Sequence, residues 1–414
     1  MKFLLAQAFA LLLLLPVFAL AEPAPSREPA PANEPALYQE PSSTEPAEAE
    51  PGPLSEDLSQ ELARQAELID LSPWQRYFSS ASPFFNGSFA TLDELLLGLS
   101  EGTAESSPQG LFDTVKALAE HELRSSLGAA AALAAAALLT ALPALLPTEG
   151  VRPVLGLALM VPAVCIAASA FAALIKTASS AVGEAGEFTR RSLPVMTALL
   201  TAVGSTSSEG LFRPLMSFLA GTVITAIERL VMPLCAACGV LRIADSVAGG
   251  GRLSELVGLA KKAVRWLLGL ISAFYFGVAA VRGLTAASRD GLALRTARYA
   301  IDQLVPVVGS MVSGTVEGVL ACALLIKNGA GVMALLLLFS FAAKPLLSLA
   351  AGMLVFRAAA AVSRPAADPR VVGLYSGLAD TASELFACAA AAVLLNCLTV
   401  CVFIASGGVA AGLW

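Results

Sequence analysis

Six polar residues stand inside otherwise apolar runs: Glu228 and Arg229, Glu317, Lys327 and Asn328, and Lys344. A charge at the middle of a membrane helix costs about 2.5–3.5 kcal/mol even on lenient insertion scales, so each must be paired, hydrated or close to a headgroup. The chemistry open to them is ion handling rather than covalent catalysis. Glu228, Arg229, Glu317, Lys327, Asn328 and Lys344 are therefore candidates to line a polar path through a membrane. A second reading makes Lys327-Asn328-Gly329 a surface loop and lets Arg229 and Lys344 reach out to headgroups on their aliphatic stems. Ser310, Gly314 and Gly318 recur every fourth position, a stripe of small residues that lets another helix come close. That stripe is read as helix packing, with an ion path as the alternative.

Little else could do chemistry. Cys235-Ala236-Ala237-Cys238 has the spacing of a redox or metal pair, but no second pair or nearby His completes it, and all seven cysteines lie in apolar runs. The bland reading is two small apolar side chains on a membrane helix. His121, the only histidine, sits between Glu120 and Glu122 and reads as solvated. There is no phosphate-cradling Gly loop, no H-E-x-x-H and no Ser, His and Asp set. No catalytic residue, metal ligand or cofactor is predicted, and the chain is not expected to be an enzyme.

These residues must be positioned by membrane helices. Hydrophobic residues make up 57% of the chain and charged residues 14%, whereas soluble domains run at about 45–50% and about 25%. The net charge of -6 comes from acids near the N-terminus and implies no nucleic-acid partner. Lys2, the apolar run Phe3–Leu20 and Ala19-Leu20-Ala21 have the form of a secretory signal peptide over residues 1–21, an uncleaved anchor being the alternative. Residues 22–53, built from Pro, Glu and Ala, predict a disordered acidic tether.

Residues 54–122 predict a small extracytoplasmic helical region. An amphipathic helix over Ser55–Leu71 should end near Ser72-Pro73; Thr91–Leu99 should follow, with Thr91 as N-cap, and then Gln109–Leu123. Residues 123–176 predict a membrane hairpin, Ser125–Leu146 and Val154–Ile175 joined at Pro147–Pro153. Thr177–Arg191 is polar enough to lie at an interface.

An internal repeat follows, with units over 177–284 and 285–408. Leu193-Pro194-Val195 is echoed by Val305-Pro306-Val307 and Pro233-Leu234 by Pro345-Leu346, both at an offset of 112 residues. Gly258-Leu259-Ala260-Lys261-Lys262-Ala263 is echoed by Gly377-Leu378-Ala379-Asp380-Thr381-Ala382 at an offset of 119. Each of these last two precedes a full apolar span, Trp266–Leu284 and Glu384–Ser406. Leu193–Val203 and Leu304–Ser313 are about half a crossing long, the pattern of re-entrant or broken helices at a transport site; irregular packed helices are the alternative. Arg252–Trp266 predicts a basic amphipathic helix in the headgroup plane. The fold class is all-α: a polytopic α-helical membrane protein with two repeats, preceded by a signal peptide and a small helical region outside the cytoplasm.

The stretch Val281-Arg282-Gly283-Leu284-Thr285-Ala286-Ala287, Gly291-Leu292-Ala293-Leu294-Arg295-Thr296-Ala297, Gly314-Thr315-Val316-Glu317-Gly318 and Leu325-Ile326-Lys327-Asn328-Gly329-Ala330-Gly331, with Lys344-Pro345-Leu346-Leu347, resembles the stage III sporulation protein AE family. The likeness covers most of Phe188–Gly408. It implies a subunit of a channel complex in the mother-cell membrane around the forespore, needed after engulfment. The implied partners are the other stage III A sporulation membrane proteins and a forespore-side protein, with the N-terminal region facing the space between the membranes. A homo-oligomer is also open. The reading that rests on the repeats instead is an autonomous secondary transporter with a site between them.

Overall fold

The computed structural model describes residues 62–66, 69–81, 89, 91–101, 108–145, 152–202, 218, 221–248, 253–278 and 309–405, and the regular elements among them are helical. The signal peptide, the tether, and the stretch 279–308 with Val305-Pro306-Val307 lie outside these residues. Eight helices matter: α1 (Ser72–Ala81), α2 (Leu92–Glu101), α3 (Pro108–Leu139), α4 (Arg152–Ala202), α5 (Gly221–Ala248), α6 (254–278), α7 (Gly309–Ser363) and α8 (Pro369–Ala405).

Side-chain contacts fix the direction of each helix. On α3 and α8, Tyr375 donates to the Leu133 carbonyl at 3.1 Å while the Asp368 N–H donates to Thr140 Oγ1 at 3.1 Å, so these two run antiparallel. Phe171 lies on Gly239 and Ile224 on Gly186, which makes α4 and α5 antiparallel. Leu174 lies on Gly352, and Phe188 stacks beside Phe341 with ring centroids 5.4 Å apart, so α7 also opposes α4. Cys235 meets Cys388 and Arg242 lies across Gly377, setting α5 against α8. Along α6 and α8, by contrast, Lys261, Arg265 and Tyr275 meet Asp380, Glu384 and Thr399 in the same order, so these two run parallel. The helices α3 to α8 thus alternate in direction, with the α7–α8 hairpin the most enclosed part of the bundle.

Among the described residues, five segments are long and apolar enough to cross a membrane: Asp113–Leu139, Val154–Leu200, Gly221–Ala248, Cys322–Ser363 and Pro369–Ile404. With 55 residues, α7 reaches about 80 Å at 1.5 Å per residue, against about 30 Å of hydrocarbon. The long helices must therefore project well beyond the lipid.

Several expected breaks are absent. Leu193–Ala202 does not form a separate half-crossing; it is the last part of the 51-residue α4, which also absorbs Thr177–Arg191. A proline inside a helix costs about 3 kcal/mol in lost bonding and ring clash. Pro162 and Pro194 are nonetheless carried within α4, because Val195, Met196, Leu199 and Leu200 all bury a continuous apolar face after the second. Residues 309–313 of the expected piece Leu304–Ser313 open α7, and Pro345 lies inside that helix. At Pro233 the accommodation is visible: a π-turn over Ile227–Val231, closed by the Met232 N–H on the Ile227 carbonyl, widens the helix just before the ring.

Two further pairs of expected elements are single helices. Gln109–Leu123 and the first span are both α3, while the basic amphipathic helix and the span after it are both α6 as far as residue 278. Ser72-Pro73 starts α1, with Pro73 in the first turn, where its missing N–H costs nothing, and the Ser72 N–H on Asp70 Oδ1 at 3.0 Å. Of Ser55–Leu71, the structure describes a helical turn at 62–66. The N-cap at Thr91 is formed, its Oγ1 accepting from the Glu94 N–H at 3.3 Å.

The antiparallel packing of α5 on α8 has a chemical readout. Cys235 and Cys388 are buried thiols with their sulfurs 3.7 Å apart. Mild oxidation of the detergent-solubilised protein should join them selectively, as read by peptide mass spectrometry, and Cys235→Ala should abolish that cross-link. Cross-links from Cys388 to other cysteines in its place would contradict the packing.

Candidate functional site

The structure scatters most of the polar residues expected along a path. Glu228 and Arg229 are exposed on the π-turn of α5, and Asn328 and Lys344 are exposed on α7, with Lys344 about 25 Å beyond Lys327 along the axis. Ser310, Gly314, Glu317 and Gly318 lie on the first turns of α7, with side chains outside the described set.

Lys327 is fully buried, and its Nζ donates to the Ile404 carbonyl at 2.8 Å. That carbonyl belongs to the last turn of α8, where the carbonyls lack intrahelical donors and the helix dipole is negative. The lysine is thus a helix cap as well as a buried cation. Two residues on, Gly329 abuts the end of α2: a Cβ there would stand 2.5 Å from Ser100 Oγ. One turn of α7 therefore receives the C-terminal ends of both α2 and α8.

A denser polar site lies where α5, α6 and α8 meet: Lys261 and Arg265 belong to the charged face expected of the basic helix Arg252–Trp266, whereas Asp380 and Glu384 had no expected role. Lys261 Nζ is 3.6 Å from Asp380 Oδ2. One turn on, Arg265 donates from Nε at 2.8 Å and from Nη2 at 2.6 Å to Glu384 Oε1. Lys261 and Glu384 are buried, whereas Asp380 and Arg265 reach solvent or headgroups. Asp245 closes the α5–α6 turn by accepting the Leu253 N–H at 3.0 Å. Arg242 lies over Gly377, with its Nε buried and without a hydrogen-bond partner among the described residues.

Both rungs of this ladder join residues 119 apart, which is also the spacing of the Gly258 and Gly377 echoes. The signal was present in the sequence, but as a sign of duplication rather than of contact. Deeper along the same helices, Tyr275 and Thr399 share a hydrogen bond of 2.9 Å. Asn396 donates to the Ala185 carbonyl at 3.0 Å and accepts from the Thr189 hydroxyl, which ties α8 to α4.

A second anchor holds α1 on α4 and α7. Trp74 Nε1 donates to Ser192 Oγ at 2.8 Å, and Tyr77 packs edge-on against Phe188 with centroids 5.0 Å apart and beside Phe341 at 5.1 Å. Burial pushes the Tyr77 phenol above its ordinary pKa. Outside this contact, Arg76 and Arg191 both reach Glu187.

No group of three or more His, Cys, Asp or Glu among the described residues could hold a metal. Alternating long helices, crossing-length apolar segments and charges paired inside the bundle define a multi-pass α-helical membrane protein. The chain belongs to the stage III sporulation protein AE family, whose profile matches residues 90–407. It is 27% identical over 244 residues to the stage III sporulation protein AE of Bacillus subtilis (strain 168), a match covering 59% of this chain and 61% of that protein. The chain thus spans about three fifths of the length of that curated relative. No solved structure matches.

The ladder predicts an asymmetry in stability. Arg265→Leu leaves the buried Glu384 carboxylate unpaired and should cost about 1–3 kcal/mol. Adding Glu384→Leu should recover most of that loss, as measured by thermal unfolding in detergent. Independent, additive losses would show that the two side chains are not coupled.

Proposed function

We propose that this chain is a membrane subunit of the sporulation channel complex that links mother cell and forespore and supports spore development after engulfment. The observation that carries the reading is the family match across residues 90–407, which takes in all five segments able to cross a membrane. In this reading the protein resides in the mother-cell membrane around the forespore. Its N-terminal region faces the intermembrane space, and it works beside the other stage III A membrane proteins and a forespore-side partner. The docking of α1 on the far half of α4 fits a hairpin whose preceding region and emerging segment share one side, whichever side that is.

A secondary transporter is the competing reading. What favours it is the matched pairing of Lys261 with Asp380 and Arg265 with Glu384 between corresponding parts of the two proposed repeats. Proteoliposomes containing the purified chain alone separate the two, since gradient-driven uptake without partners belongs to a transporter and inactivity to a channel subunit. The polar path is proposed to include Glu317 and Lys327, with Glu228, Arg229, Asn328 and Lys344 meeting headgroups or partner subunits.

Deletion of the gene should leave engulfed forespores that do not mature, scored as a collapse in heat-resistant spores and restored by the wild-type copy. A normal spore yield would remove the proposal. In the complemented strain, Glu317→Ala and Lys327→Ala should each lower the yield. If the two share a path, the double variant should be little worse than the more severe single one.

A further inference from the structure

The charge-free stretches of α3, α4, α5 and α6 cover residues 125–148, 153–175, 230–241 and 266–281, and contacts with α8 show that they stand at different levels. Leu133, near the middle of the α3 stretch, accepts the bond from Tyr375. The α4 stretch ends with Leu174 on Gly352, one turn from the Phe356 that packs on Tyr375, so α4 is apolar up to about that level and charged beyond it. Cys235, at the middle of the α5 stretch, meets Cys388. Tyr275, at the middle of the α6 stretch, is bonded to Thr399. At 1.5 Å per residue along α8, the α5 and α6 levels lie about 20 Å and about 36 Å beyond Tyr375.

Each stretch turns large apolar side chains outward: Leu127 on α3, Leu157 on α4, Val240 on α5 and Phe274 on α6 are all half exposed or more. The hydrocarbon of a bilayer is about 30 Å thick, so a slab square to the helices cannot be centred on both ends of this series. Centred on Tyr375, it would immerse the exposed Lys262 and Asp380. Centred on Thr399, it would immerse Glu184, Glu187, Arg190 and Arg191, because Asn396 is bonded to Ala185 in their midst. Charges at such a depth must be paired or hydrated, and neither slab allows it for all of them.

We propose that the bilayer meets this protein along an inclined belt that rises from the α3–α4 hairpin through α5 to α6, so that the bundle leans steeply in the membrane. Helices in contact lie about 8–10 Å apart, so the three steps from α3 to α6 cover at most about 30 Å sideways against a rise of about 36 Å. The lean therefore exceeds the average of about 20° for membrane helices. On one side α1 and the second half of α4 stand in water with Arg76, Glu184 and Arg190; on the other the start of α6 does, with Glu255 and Lys262. The occupant of the belt is lipid rather than a docked protein, because apolar surface and bordering charges shift together from each helix to the next, as a single solvent boundary requires.

The test uses the full chain in sealed membrane vesicles, with Leu157→Cys, Glu184→Cys, Glu255→Cys and Phe274→Cys made one at a time and a membrane-impermeant maleimide located by peptide mass spectrometry. All four side chains are exposed, so the packed face of each helix is untouched. Glu184→Cys and Glu255→Cys should be labelled from opposite sides of the membrane, one of them only after the vesicles are opened, while Leu157→Cys and Phe274→Cys stay unlabelled. In the unsubstituted protein, a lipid-soluble carbene precursor photolysed in the bilayer should mark the peptides that hold Leu157 and Phe274. Maleimide at Phe274→Cys would place the bilayer square on the α3–α4 level, and maleimide at Leu157→Cys square on the α6 level; either overturns the inclined belt. Labelling of Glu184→Cys and Glu255→Cys from the same side, or absence of carbene from either peptide, overturns it as well.

Discussion

A charge enclosed in an apolar bundle must meet a counter-charge or a free polar end of the backbone, because an isolated buried ion costs several kcal/mol even after relaxation. Four charged side chains are buried among the described residues, and each is met. Asp245 takes the Leu253 N–H, Lys261 faces Asp380, Lys327 caps the end of α8, and Glu384 takes two donors from Arg265. Three of these four contacts lie at the α5–α6–α8 seam, and the fourth fastens the opposite end of α8. The most enclosed helix of the molecule is thereby tied near both ends by charge, so sliding it along its neighbours would unpair buried ions at two places together.

Between those ties the helices are held by shape. In lipid the apolar surface of one helix gains nothing from leaving the hydrocarbon for another, so close approach of backbones and dispersion must supply the attraction. The sequence provides for this with small residues where large ones arrive. Phe171 fits over Gly239 so closely that any side chain there would collide with the ring, and Leu174 occupies the matching position over Gly352. Both large residues come from one face of α4. That helix is consequently wedged into α5 and α7 by consecutive turns, and its second half is carried out past the apolar band to receive α1 at Ser192.

What could be read from the sequence followed the range of the forces involved. Helical class and the cap at Thr91 depend on residues a few positions apart, and they appear as expected. Continuity through Pro194 and Pro345 depends on tertiary burial of the turns beyond each ring, which outweighs a local penalty that the sequence displays and the burial that it does not. Lys327 looked like a loop residue or a pathway cation because its partner is a main-chain carbonyl, which leaves no mark of its own in a sequence. The ladder is half legible, since the offset of 119 shows as an echo while opposite signs at equivalent positions do not by themselves mark a contact.

Those opposite signs bear on how two related units could be arranged. A helix duplicated by an inverted repeat would run against its copy, so residues at a constant offset could meet at one crossing and then diverge. The pairs Lys261 with Asp380 and Arg265 with Glu384 hold one offset over a full turn, and Tyr275 still reaches Thr399 further along. If the units are duplicates, these contacts make their last helices parallel, as an axis along the helices would and one in the membrane plane would not. If the units are duplicates, identical charges at these positions would have faced each other in the ancestral pair and repelled. A cation retained on α6 and an anion on α8 are what divergence would have to produce before the two copies could pack side by side.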